Sequence, residues 1–171
     1  MSSKSIKKIG LLAATAALSA PLFAFTANAA SDTANATATI VQAIAITNGG
    51  DLAFGSIVAD TATAGTVVIA ADGTKSSTGG VTTTTAQTTS AAQFTVTGVT
   101  DYAFTVTLPS SPVTLSDGGT NNMTVDTFTD NAPANITGGS VTFGVGGTLN
   151  VAAGQAAGNY TGTFSVSVAY N

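Results

Sequence analysis

The chain has no cysteine, no histidine and no tryptophan, and its eight acidic residues are all aspartate. Catalytic pairs built on a thiol or an imidazole are therefore excluded, as are zinc sites with the usual ligands. No disulfide can staple the fold, so stability has to come from packing and from sheet hydrogen bonds. Several of the aspartates stand beside Gly or Asn, where their ordinary role is to form turns. Ser and Thr are abundant, but none has an activating base in view. The loop Ser116 to Asn122 groups oxygen-bearing residues around Gly118-Gly119, yet its single carboxylate and its spacing do not make a calcium loop, so it reads as a turn. The expectation is a protein that is not an enzyme, with no cofactor, no metal and no small-molecule substrate.

Charge is scarce too, at 7% of residues, and it is unevenly placed. Three of the four basic residues, Lys4, Lys7 and Lys8, precede an apolar stretch from Ile9 to Phe25. Ala27 and Ala29 then stand at the two positions a signal peptidase reads, with cleavage before Ala30. Residues 1–29 are therefore expected to be a secretory signal peptide. A membrane anchor fits less well, because the stretch is short, broken by Pro21 and followed by small polar residues. No Cys lies near the cut, which excludes a lipid anchor. After cleavage Lys75 alone stands against eight Asp, a net charge of −7. Such a surface repels nucleic acid and anionic lipid.

What the chain does have is Thr, Ala, Gly, Ser and Val, a composition that favours strands joined by turns. Strand patterns recur at short intervals over 35–46, 52–58, 65–73, 92–99, 102–109, 113–115, 123–128 and 140–151. Asp72-Gly73 is a strong hairpin turn. Pro109 and Pro112 cannot donate to a ladder and so bar regular pairing there. The Thr-rich stretch 81–91 reads as an exposed strand or loop. No helical period appears beyond residue 29. Short strands at roughly ten-residue spacing predict an all-β, immunoglobulin-like sandwich.

The C-terminal segment "GNYTGTFSVSVAYN" (158–171) places Phe164, Val166, Val168 and Tyr170 on one face and small polar residues on the other, the pattern of a half-buried strand. A strand running to the last residue calls for something to hold it. Gly158, fourteenth from the end, and the penultimate Tyr170 flank this alternation. Together they resemble the C-terminal signature of pilin subunits assembled by the chaperone–usher pathway. "LAFGSI", "FTVTG", "TVTLP" and "VGGTLNVAAGQAAGNYTGTF" also resemble a bacterial secreted domain of unknown function linked to fimbrial subunits, over about residues 34 to 171.

The pilin resemblance implies an incomplete sandwich, completed by a strand donated from a neighbour. Gly158, Phe164, Val166, Val168 and Tyr170 would then belong to the acceptor groove. Ala34, Ala36, Ala38 and Ile40 alternate with polar residues and would form the donor strand, within an extension spanning 30–42 ahead of a domain at 43–171. Two departures are plain: the donor residues are mostly Ala, and the pilin disulfide is absent, which points to a cysteine-free branch. The implied function is a structural subunit of a surface fimbria. Its partners would be copies of itself, a periplasmic chaperone, an outer-membrane usher and a host or abiotic surface. Two other readings stand beside it. One is a self-contained secreted β-sandwich; the other is a surface-layer or biofilm matrix component that assembles by edge pairing.

Overall fold

Strands dominate because the backbone polar groups of so many β-branched, weakly charged segments are satisfied by laddering with one another. The computed structural model describes residues 28–171. The signal-sequence features at Lys4, Lys7, Lys8, Ile9 to Phe25 and Ala27 lie outside these residues. In chain order the strands are β1 (Ala45–Gly50), β2 (Ile57–Ala59), β3 (Gly65–Ile69), β4 (Lys75–Gly79), β5 (Val81–Thr83), β6 (Ala92–Thr97), β7 (Phe104–Thr107), β8 (Val113–Ser116), β9 (Asn122–Asp130), β10 (Ser140–Val151) and β11 (Ser167–Tyr170). A short 3-10 turn at Thr137–Gly139 precedes β10. The fold is all-β, and every strand pair is antiparallel.

The longest strand, β10, organises the largest sheet. Its first half pairs with β6, from Ser140 opposite Thr97 to Val145 opposite Ala92. Its second half pairs with β3 along one edge and β9 along the other. β1 extends the sheet beyond β6, β4 beyond β3, and β8 beyond β9. The β3–β4 turn forms at Asp72-Gly73 as the sequence predicts, with the Asp72 carboxylate accepting the Thr74 amide at 2.8 Å. The β8–β9 turn is the Ser116 to Asn122 loop. There Asp117 accepts the amide of Gly119 and the side-chain NH2 of Asn121, and the loop serves as a turn. Residues 81–91 begin as β5, which pairs with β2.

Two apolar cores result. One gathers Phe54, Val67, Ile69, Val125, Leu149 and Val151. The second is built from Val96 of β6, Phe143 and Val145 of β10, Phe104 of β7 and Ile136, with Ile44, Ile46, Phe164, Val166, Val168 and Tyr170 packed against it. Side chains from the large sheet and from the β7–β11 pair thus meet in one core, a layering consistent with a β-sandwich. Phe128 touches both cores. It is placed by an irregularity in β9, where the pairing shifts register and Thr127 takes φ 49°, an unusual value for a β-branched residue.

Candidate functional site

The predicted alternation of the closing segment is present residue by residue. Phe164, Val166, Val168 and Tyr170 are half-buried, while Thr163, Ser165, Ser167 and Ala169 are exposed. β11 pairs with β7 in a fixed register, Val168 opposite Val106 and Tyr170 opposite Phe104. Asn171 donates its amide to the carbonyl of Ala103 at 3.2 Å. Hydrogen-bonded pairs alternate along an antiparallel ladder, so Ala169 and Ser167 also turn their backbone groups toward β7. The backbone groups of Val168 and Tyr170 therefore point the other way, to the outer edge of β11. Among the described residues no strand pairs with that edge.

β7 is covered on its far side at its start, where the Phe104 amide bonds the carbonyl of Ala134 and the Ile136 amide bonds that of Tyr102. The edge that β11 presents has no strand partner anywhere along it among the described residues. It lengthens upstream, because β7 ends at Thr107 and the Pro109–Pro112 stretch that follows supplies no ladder partner to residues 162–166. The next backbone pairing is the exchange of two bonds between Thr161 and Ser116, each 2.9 Å. β11 itself, Ser167–Tyr170, presents about 10 Å of edge at roughly 3.3 Å per residue.

Two anchors hold this segment within its own chain. At the far end, Phe164 packs on Phe128 with ring centroids 5.0 Å apart and meets Phe94 edge-on at 6.3 Å. At the near end, the Tyr170 hydroxyl donates to the carbonyl of Gln42 at 3.1 Å and accepts the Val99 amide at 2.8 Å. Its ring stands edge-on to Tyr102 at 5.5 Å. A side chain on Gly98 would collide with the Tyr170 hydroxyl and with Ile136, so the close approach requires Gly there.

Of the two glycines in the segment, the sequence signature singles out Gly158. It is exposed, and a Cβ built on it meets nothing nearer than Asp117 Cβ at 3.3 Å. The demanding position is Gly162, where a Cβ would stand 2.5 Å from the Thr114 carbonyl and 2.7 Å from Leu115. No sequence pattern marks it, because the constraint comes from β8. The segment read as the donor has a different character. Residues 30–43 are exposed and carry no strand; Ala34, Ala36 and Ala38 are among them, and Ile40 keeps 98% of its surface exposed. The alternation over 35–46 becomes a strand only from Ala45. Ala29 and Ala30, beside the expected cleavage point, are exposed as well.

Among the described residues no three His, Cys, Asp or Glu side chains cluster as metal ligands. Comparison with known proteins identifies the domain by family. No curated protein and no solved structure matches the chain. Residues 44–170, from the residue before β1 to the Tyr170 anchor, match the family described as "Domain of unknown function (DUF4402)", and the chain belongs to that family.

Proposed function

We propose that this protein is a structural subunit of a bacterial surface fimbria. In this reading it is exported through an N-terminal signal peptide to the periplasm, received by a chaperone and an usher, and polymerised by donor-strand exchange. The domain is an immunoglobulin-like sandwich that lacks one strand. Phe164, Val166, Val168 and Tyr170 line the acceptor groove, and Ala34, Ala36, Ala38 and Ile40 belong to the donor.

The observation that carries the reading is a pairing of absences: the outer edge of β11 has no strand partner among the described residues, and Ala34–Ile40 has no strand to join. An edge of that length, with half-buried apolar side chains beside it, is a template for another strand and an aggregation hazard if left open. A donor of seven residues contributes several backbone hydrogen bonds at roughly 1 kcal/mol net each, and Ile40 adds the largest apolar share at about 0.8 kcal/mol per CH2.

The test uses the chain from Ala30 onward and a peptide of residues 33–42. The chain should assemble into polymers. Ile40→Asp should stop assembly yet leave a monomer that binds the peptide and melts at higher temperature with it. A wild-type chain that stays monomeric, melts cooperatively and ignores the peptide would instead be a self-contained secreted sandwich.

A further inference from the structure

The large sheet has a second face, turned away from the first core. Val67, Leu149 and Val125 belong to that core, so their strand neighbours Thr66, Asn150 and Thr124 face the other way. Strand pairing sets Thr78, Thr66, Asn150 and Thr124 directly opposite one another, as one rank across β4, β3, β10 and β9. The rank is about 14 Å long, three gaps of about 4.8 Å each. These four side chains line an open cavity of about 550 Å³, together with Asn122 and Gln155 at the strand ends. Gln155 is itself held, its side-chain NH2 donating to the Tyr160 hydroxyl at 2.9 Å and to the Asn122 carbonyl at 3.3 Å.

We infer that this cavity binds an extended, neutral oligosaccharide; the inference rests on the hydrogen-bonding groups of the rank and is independent of the donor-strand reading. The Asn150 NH2 group gives its hydrogens to β9, to the Asp126 carboxylate at 2.9 Å and to the Thr124 carbonyl and hydroxyl at 3.4 and 3.5 Å. An ionised carboxylate only accepts, so Asp126 fixes which way the amide faces. The Asn150 side-chain oxygen then has no partner among the described residues, and it is not buried. It is an open acceptor on the cavity floor. The Thr66 and Thr78 hydroxyls bond each other at 2.7 Å, which uses one of their two hydrogens and leaves the other to donate. The Thr124 hydroxyl accepts from Asn150 and keeps its own hydrogen. An acceptor flanked by donors complements a sugar diol, in which every hydroxyl both donates and accepts.

Other ligand classes fit the cavity poorly. Lys75 is the one basic side chain among the described residues, and strand alternation turns it to the face opposite Thr78. An anion would therefore meet Asp126 without a balancing cation. An apolar ligand would cover the hydroxyls and amides of the rank and leave them unpaired, at a cost for each. The volume lies within the roughly 300–1,000 Å³ of small-ligand sites, and the length of the rank suits a short chain of sugars better than a single ring.

The test is equilibrium dialysis of the chain from Ala30 onward against fluorescently labelled hexasaccharides, three neutral (cellulose, starch and mannan fragments) and one acidic (polygalacturonate). Monomer and polymer count alike in this measurement, so its outcome is separate from assembly. At least one neutral sugar should be retained and the acidic one should not. Thr66→Val with Thr124→Val removes two hydroxyls and keeps the branched shape, and affinity should fall about tenfold or more. Thr66→Ser with Thr124→Ser keeps the hydroxyls and should bind as the wild type does, which separates their role from any loss of stability. Thr142→Val, toward the other end of β10, should change nothing. Failure to retain any neutral sugar, or preference for the acidic one, would overturn the inference. Binding that survives the valine pair, or that is lost equally in the serine pair, would overturn it as well.

Discussion

Replacing Tyr170 by Phe removes one oxygen and leaves the ring in place, so its effect can be worked from two bonds. The hydroxyl donates to Gln42 and accepts from the Val99 amide, both part of the connection between the closing strand and the far sheet. Each bond is worth roughly 0.5–1.5 kcal/mol net, and a buried amide left without a partner costs about 1–3 kcal/mol. The Val99 amide is only partly buried, so water recovers some of that loss. The edge-on contact with Tyr102 survives, because it needs only the ring. The expected destabilisation is about 2 kcal/mol, a fall in Tm of about 4–8 °C for a domain of this size. Urea denaturation in the Ile40→Asp background, where assembly is blocked, should lower the midpoint at constant slope. Amide exchange at Val99 should accelerate. A loss below about 0.5 kcal/mol with Val99 exchange unchanged would mean that the hydroxyl does not hold the strand.

Three further outcomes follow from the same contacts. Val166→Asp places a carboxylate on a half-buried face of the second core, at a cost of several kcal/mol or a raised pKa; assembly, followed by light scattering, should disappear, and normal polymers would remove Val166 from the interface. Gly162→Ala forces β8 to move and should cost about 1–3 kcal/mol, whereas Gly158→Ala should stay within about 0.5 kcal/mol; denaturation of the pair decides, and the reverse order would refute the packing at Thr114. Finally, three turn carboxyls are held below the ordinary aspartate range. Amides of Ala62 and Thr63 do this at Asp60, the amide and then the hydroxyl of Thr74 at Asp72, and the Asn121 side chain followed by the Gly119 amide at Asp117. Depressed values stabilise the fold above the unfolded pKa and lose that contribution as protons bind, so turn order should fall below about pH 4. NMR titration of the Thr74 and Gly119 amides checks it, and shifts centred at pH 5 or above would contradict the sign.

Much of the architecture is legible in the chain because the side-chain period of a strand is local. The alternation from Phe164 to Tyr170, the run 140–151 that becomes β10, and the Asp72-Gly73 turn depend only on neighbouring residues and appear as the pattern predicts. The scarcity of charge and the lack of Cys and His likewise narrowed the chemistry at once. Tertiary structure decided which strand meets which. It gave β10 to β6 along one half and to β3 and β9 along the other, and left the outer edge of β11 without a strand among the described residues. It also decided that Gly162, against Thr114, is the constrained glycine, and that the Tyr170 hydroxyl reaches Gln42 across the whole sequence. Hydrogen-bond partners on a sheet edge, and close contacts between layers, are set by residues far away in the chain. Periodicity fixes which way a side chain faces; only packing determines what stands opposite it.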